Sequence, residues 1–495
     1  MAKRTAVIDI GSNSARMVVF EKSSAYAFHL VKEIKSRIRI GEGAYENGGT
    51  LQNIPMQRAY DALEDFCHII KNLKCNKTFC VATSALRDAP NANEFIKRIK
   101  KDLKLNIKII DGKKEAEFGA LASLNLLMPI QNATTIDVGG GSTELASIKD
   151  GKIVDTISID IGTVRLKELF FNKINEFDNT KEFINKNLKN LPEHFNSETI
   201  IGIGGTIRAF SNMVMEKMDY PLKTIHGFEY NIEEYKYLLK QIILADTLEL
   251  KEFGIKKDRY DTMREGCAIF NALIEHLKVK KIITNGAGVR EGVYLQDLLR
   301  SSNQRFPTNF RVSEKSLSDR FISDKKESLY VSKTALKLFD ALEYIHQINP
   351  EYKKELRVAA KLYNIGRSLS FYQEHLHSFY FITNNLNYNF SHQQRILIAL
   401  LVKYHTKKLP SFEDVKAYEM LLPKIEIVNW LSFIISLAKC LNANFSNIEL
   451  EFNYENHTLT IKSSQKLFLA KECIKKLVKP ASFAIVIETS QIPLN

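Results

Sequence analysis

Long apolar runs are missing from this sequence. No stretch reaches the ~18 residues that a membrane-spanning helix needs. The longest candidate, WLSFIISLAKCL (430–441), is interrupted by Lys439 and reads as a buried helix. The opening MAKRTAVIDIGSNS meets glycine and polar residues too early for the apolar core of a signal peptide. Cysteine is scarce. Cys67, Cys75, Cys80, Cys267, Cys440 and Cys473 form no CxxC pair, which argues against a zinc ribbon or a thioredoxin-like redox motif. Six cysteines in 495 residues read as reduced, mostly buried thiols, which fits a cytoplasmic protein. Low-complexity tracts are absent. Acidic side chains are the minority charge, 57 against 70 basic ones, for a net charge of +13. That imbalance favours anionic partners (phosphorylated molecules, nucleic acid or acidic membrane) without choosing among them.

What is present is an ordinary folded composition, 45% apolar and 26% charged. At ~150 residues per domain the length suggests roughly three domains. The first half alternates strand and helix signals. TAVIDI and RMVVFEKS flank a Gly-Ser turn as a hairpin, and FCVATS (79–84) and IKIIDG (107–112) are buried-type strands. KEAEFGALASLNLL has helical spacing. ATTIDVGGGS, TELASIK and GKIVDTISID then repeat the opening theme, followed by TIIGIGGT with a helix from Ile207, a helix near Arg264–Leu277, KIITNGAG, and a helix from Val289. The theme begins at Ala6 and again at Thr134. A duplicated, alternating pattern predicts the α/β class and two similar lobes with a cleft between them. SSNQRFPTN (301–309) is polar and carries a proline, as a linker does. Ser328–Leu441 reads as helical almost throughout. IELEFNYENHTLTIKSS reads as a hairpin, FLAKECIKKLVK as a helix and FAIVIE as a strand. The expected division is 1–125, 126–302, 303–441 and 442–495. The basic run KRIKKDLK (97–104) reads as a solvated helix face.

Three glycine-rich turns follow strands. In Asp9-Ile10-Gly11-Ser12-Asn13-Ser14 the turn can surround a phosphate with N–H and hydroxyl groups, or be a ligand-free hairpin turn. Asp137-Val138-Gly139-Gly140-Gly141-Ser142-Thr143-Glu144 spends three consecutive glycines, a cost better explained if a ligand approaches the backbone. Asp137 sits where a hydrated Mg²⁺ needs an oxygen ligand. Gly202-Ile203-Gly204-Gly205-Thr206 joins a strand to a helix N-terminus, which favours an anion. None of the three is a GxxxxGK[ST] P-loop or a dinucleotide GxGxxG.

DIGSNSARM, VATSALRDA, IIDGKKEAEFG, IDVGGGSTEL, GIGGTIRA and GAGVREGVYLQDL occur in this order. Together they resemble the exopolyphosphatase/guanosine pentaphosphate phosphohydrolase family, Ppx/GppA, in its long form, over roughly residues 4–300 and more loosely beyond. The resemblance implies duplicated actin/Hsp70-like (RNase H-like) ATPase lobes, a mostly helical HD-like domain and a small α+β tail. It implies Glu115 as the catalytic glutamate that positions and deprotonates water. A glutamate in a first helical turn also suits the macrodipole with no such role, and the nearby Glu117 matches no family position. Arg87 matches a phosphate-contacting arginine, or is a surface arginine of a strand–helix loop. Asp137 and Glu144 match acidic positions linked to Mg²⁺ and catalysis, although Glu144 also reads as an alternating strand residue. Ser12, Asn13, Gly139, Gly140, Gly141, Ser142, Gly204, Gly205 and Thr206 match phosphate-binding loops. Arg16 matches an arginine that contacts guanosine tetra- or pentaphosphate, or is a plain hairpin charge. Arg264 and Arg290 are further basic candidates.

In the third domain the resemblance weakens. Long members carry a Leu-His-Asp/Glu-ϕ-Gly relic of the HD phosphohydrolase fold, where this chain has Leu362-Tyr363-Asn364-Ile365-Gly366. His375 and His377, two apart on a helix, do not face one metal well, so no second active site is expected. The domain is expected to extend a basic groove or form a dimer contact. The leading expectation is a Mg²⁺-dependent, homodimeric phosphohydrolase acting on inorganic polyphosphate, on guanosine pentaphosphate (pppGpp), or on both. The alternatives are an ATP-dependent kinase of the same superfold and a non-catalytic polyanion binder. No membrane and no specific nucleic acid are expected as partners.

Overall fold

The fold is taken from a computed structural model, which describes residues 3–171 and 177–489. It has two compact units, Met1–Val312 and Ser313–Asn495.

The first unit holds two sheets of one design. In the first sheet β1 (Lys3–Ile10) pairs antiparallel with β2 (Ala15–Lys22), and β2 with β3 (Phe28–Ser36). On its other side β1 runs parallel to β4 (Lys77–Ala82), and β4 to β5 (Ile107–Ile109). In the second sheet β6 (Ala133–Val138), β7 (Thr143–Lys149) and β8 (Lys152–Ile159) form the same antiparallel meander. There β6 runs parallel to β9 (Thr199–Ile203), β9 is parallel to β11 (Lys281–Thr284), and β10 (Phe228–Asn231) is added at the edge. The first sheet runs β3–β2–β1–β4–β5 and the second β8–β7–β6–β9–β11–β10, so both share the third–second–first–fourth order of a duplicated unit. The central strands are near-continuous apolar runs because helices cover both faces. Val7 and Ile8 of β1 and Ile136 of β6 are fully buried.

The repeat extends to atoms. Asp9 pairs with Arg16, and Asp137 with Glu144. The Gly11 amide donates to Ser14 O (3.1 Å) and the Gly139 amide to Ser142 O (3.0 Å), so the two turns close identically. Helix Gly112–Leu126 packs on helix Val289–Leu298. Gly292 makes that approach possible: a Cβ there would lie 2.2 Å from Phe118 O. SSNQRFPTN, expected as a linker, stays with the first unit. Phe306 and Phe310 pack on Tyr26 at 6.4 and 5.9 Å, and Arg305 donates to Leu124 O and Gly151 O.

In the second unit, helices Lys325–Ala341, Lys353–Leu362, His392–Lys403 and Ile425–Leu441 share one core. The tail joins that core through Leu450, Leu459 and Ile461 of its sheet, β12 (Leu450–Glu455), β13 (Thr458–Ser463) and β14 (Ala484–Thr489). Among the described residues no single helix is long and apolar enough to cross a membrane. At the position of the HD relic, Glu327 is buried and accepts from Tyr363 Oη, Asn364 Nδ2 (3.2 Å) and Arg367 Nη1 (3.1 Å). Glu374 accepts from Arg367 Nε (2.7 Å) and Lys439 Nζ (3.0 Å). His375 and His377 are half-buried on the helix Glu374–Asn385.

The expectation of six reduced thiols needs correction. Cys440 and Cys473 form a disulfide, because the helices Ile425–Leu441 and Phe468–Ile474 pack together and leave their Cα atoms 5.4 Å apart. Cys67, Cys75, Cys80 and Cys267 are free, the first two half-buried.

Candidate active site

The C-terminal ends of β1, β6 and β9 open into a cleft of about 150 Å³ in the first unit. Each strand delivers a turn to it. Gly140 of one turn lies so close to the other that a Cβ on it would meet Ser12 Cβ at 2.9 Å and Asn13 N at 3.5 Å. Gly204 has φ +82°, the left-handed region where glycine carries no Cβ penalty, and a Cβ there would also sit 2.3 Å from Asp137 Oδ1. The 14-residue helix Gly204–Lys217 starts here, three residues earlier than expected, and its free N-terminal amides favour an anion. Helix Val289–Leu298 begins at the same cleft.

Glu115 stands in the first turn of helix Gly112–Leu126, whose N-cap is Asp111, accepting from the Lys114 amide at 2.7 Å. Its side chain is 12% exposed and lines the cleft. Arg87 donates from Nη1 to Glu115 Oε2 (3.2 Å) and Ile110 O (3.3 Å), and from Nη2 to Ser142 Oγ (3.4 Å). Ser142 Oγ in turn donates to Glu144 Oε1 (2.5 Å), which also accepts from Ser158 Oγ (2.9 Å). The two carboxylates are thus tied through one guanidinium and one hydroxyl. Burial first, then the charges of Glu144 and Asp9, hold the Glu115 carboxyl well above the usual range, against the pull of Arg87. Burial lifts Glu144 to about 7 and Asp9 to about 6, and raises Asp137. Carboxylates so crowded favour a proton or a cation among them.

Facing them are Arg16, Arg208 and Arg290. Burial and mutual repulsion lower Arg16, and bring Arg208 to about 10. Arg208 Nε is buried with no hydrogen-bond partner. Arg290 is 5% exposed and donates to Glu33 Oε1 at 2.8 Å. Glu291, Glu33 and Asp9 outweigh its burial and raise it. A set of buried and half-buried arginines with an unsatisfied donor suits phosphate oxygens, which accept in the fork geometry of guanidinium.

The structure brings Ser12, Asn13, Arg16, Glu115, Asp137, Gly139, Gly140, Ser142, Gly204, Gly205 and Arg290 to the cleft. Arg87 and Glu144 lie just behind its lining, in the network above. Gly141 and Thr206 point elsewhere. Gly141 O accepts from Arg165 Nε, and the Thr206 side chain packs where a Cβ on Gly266 would be. Arg264 donates from Nε to Ile243 O at 3.0 Å and does not line the cleft. Arg208 and the side chain of Asp9 were not singled out from sequence. The signal for Arg208 was helical spacing, since it stands one turn after Gly204 and so shares its face. The signal for Asp9 was its equivalence to Asp137.

Hard oxygen donors gather at this site: Asp9, Glu115 and Asp137. Among the described residues no group of three His, Cys, Asp or Glu side chains is arranged to hold a metal unaided. That donor set fits Mg²⁺, which binds through one or two carboxylates plus substrate phosphates and keeps several waters.

Residues 18–301 match the Ppx/GppA phosphatase family, and residues 311–476 match Ppx/GppA phosphatase, domain III. The guanosine-5'-triphosphate,3'-diphosphate pyrophosphatase of Photobacterium profundum is 25% identical over 418 residues, 83% of this chain and 82% of that one. The crystal structure of the Aquifex aeolicus member of the Ppx/GppA family superposes with a TM-score of 0.52 at 27% identity, over 61% of this chain and 100% of that one. An exopolyphosphatase from Cytophaga hutchinsonii shares the fold, with a TM-score of 0.56 at 22% identity over 61% and 100% of the two chains.

Proposed function

The chain belongs to the Ppx/GppA phosphatase family, and from that premise we propose that it hydrolyses phosphoanhydrides, releasing the terminal phosphate of pppGpp, of inorganic polyphosphate, or of both. One observation carries this reading: a half-buried carboxylate, Glu115, opens onto the same small cleft as three glycine turns and three arginines, Arg290 buried and Arg16 and Arg208 half-buried. Glu115 accepts a proton from a water molecule. The water oxygen bonds to the terminal phosphorus, the bridging P–O bond breaks, and the electron pair leaves on the shortened chain. Arg87 holds the Glu115 carboxylate in position through its 3.2 Å contact. Phosphoryl transfer depends mainly on positioning and on stabilising charge spread over the equatorial oxygens. Arg16, Arg208, Arg290 and the amides of the turns at Gly139–Gly140 and Gly204–Gly205 are the donors available for that. Asp137 and Asp9 would hold Mg²⁺, which when bound neutralises phosphate oxygens and lowers the pKa of its waters.

The test is phosphate release with Mg²⁺ from pppGpp and from long-chain polyphosphate side by side, with ATP as control. Release from at least one in clear preference to ATP is expected, and the ratio of the two kcat/KM values assigns the substrate. A folded protein that releases phosphate from neither refutes the proposal.

A further inference from the structure

A second cavity, of about 420 Å³, lies at the opposite end of β1 from the cleft. Its volume is that of a small-molecule site. Lys3 and Asp9 stand six residues apart on the strand, roughly 20 Å at ~3.3 Å per residue. The cavity is lined by Lys3, Arg4, Lys22, Lys77 and Arg300, with Asp297 as its one carboxylate. Asp297 is shared by Lys77 (2.8 Å) and Arg300 (2.8 Å), and Arg4 is held by Glu21 (2.6 Å). The surplus is positive.

Two features are costly unless an anion binds. Lys3 and Lys22 are direct cross-strand partners in the β1–β2 ladder, and like charges so placed are destabilising. Burial and then Lys3 push the Lys22 ammonium below the usual lysine range. Second, Tyr294 lines the cavity, is 1% exposed, and its hydroxyl has no hydrogen-bond partner. A buried hydroxyl without a partner is rare enough to ask for a ligand or water. Its ring is fixed by Phe20 and Phe28, with centroids at 4.5 and 4.8 Å, so the hydroxyl cannot easily turn away.

We propose that this cavity is a second, non-catalytic anion site that takes the phosphate groups of an oligophosphate. Lysine ammoniums read phosphate as point charges and Arg4 and Arg300 add forked donors. The inference does not rest on the reaction assigned to the cleft. The two sites share helix Val289–Leu298, which carries Arg290 to the cleft and Tyr294 and Asp297 to the cavity.

The test is equilibrium dialysis of the full chain with inorganic tripolyphosphate, without divalent cations. Two sites per chain are expected. In Lys22→Glu, which turns the like-charged pair into an opposite pair and so does not threaten the fold, one site weakens at least tenfold and the other is unchanged. Tyr294→Phe keeps the ring contacts and weakens the same site several-fold. Replacing tripolyphosphate by GTP separates the sources. Equal binding supports recognition of phosphates alone, and a tenfold preference for GTP supports a nucleoside triphosphate in the same cavity. Binding in which no site is weakened by Lys22→Glu, however many sites the unaltered protein shows, overturns the proposal. Absence of Mg²⁺-dependent hydrolysis would refute the cleft reading and leave this one standing.

Discussion

Glu115→Gln is the most informative perturbation. The amide keeps the volume of the side chain, and its Oε1 can still accept from Arg87, so the helix Gly112–Leu126 and its neighbours are retained. What is lost is the ability to accept a proton. A positioned general base contributes about 10²–10⁴-fold, which at 1.36 kcal/mol per decade is ~3–5 kcal/mol of barrier. kcat/KM should therefore fall by that factor, most of it in kcat, since Arg16, Arg208 and Arg290 still hold the phosphates. The pH profile supplies an independent check. The base works only when ionised, and burial with Glu144 and Asp9 holds the Glu115 carboxyl well above the usual range. The rate should rise with pH through a limb above the ordinary carboxylate range of about 4.3 and then level off. Arg87 pulls that carboxyl down, so Arg87→Met should move the limb to higher pH. The assay is initial phosphate release over pH 5–9 on whichever substrate is preferred, with thermal unfolding as a folding control. Hydrolysis by Glu115→Gln within a few-fold of the unaltered enzyme, or a limb unmoved by Arg87→Met, would refute the assignment.

Three further outcomes are expected. Arg208→Ala removes a guanidinium whose buried Nε has no partner. The loss of a charge-assisted hydrogen bond, ~1.5–3 kcal/mol, should raise KM roughly 10–100-fold with a smaller change in kcat, and an unchanged KM would count against a substrate contact. Gly140→Ala places a methyl 2.9 Å from Ser12 Cβ and 3.4 Å from Val164 Cγ2. Overpacking of this kind costs about 1–3 kcal/mol, so both the melting temperature and kcat/KM should drop; wild-type kinetics would show that the two turns need not meet so closely. The Cys440–Cys473 bridge spans 33 residues, for which loop closure gives about 3–4 kcal/mol. Reductant or Cys440→Ser should lower the stability of the second unit by that amount in denaturant titration, and alkylation of six thiols in unreduced protein would show that the bridge does not form.

The repeated hairpin explains how one motif supplies two chemistries. Asp9 and Asp137 occupy the same place in the two copies, and each is paired across its hairpin. The partner differs: Arg16 in the first copy and Glu144 in the second. One lobe thereby brings a cation to the cleft. The other brings a carboxylate into the Glu115–Arg87–Ser142 network.

Much of this was legible in the linear sequence. Strands buried on both faces are continuous apolar runs, and a glycine turn between two of them is a local signal, so both hairpins, the duplication and the three turns follow from neighbours in the chain. Helix Met263–Leu277 and helix Val289–Leu298 follow likewise from spacing. Edge and surface elements were not legible. Strand β3 (FHLVKEIKS) and helix Asn53–Asn72 bury only some of their residues, and their polar positions carry no separate signal. Long-range placement was decided only in three dimensions. Thr206 and Arg264 lie in or beside motifs and still face away from the cleft, while Arg208, one helical turn from Gly204, enters it. The Cys440–Cys473 bridge needs two helices to meet, which no spacing announces. The carboxyls of Glu115, Glu144, Asp137 and Asp9 have ordinary pKa values in an extended chain. Folding alone shifts them, because burial strips their water and the duplicated lobes bring their charges together.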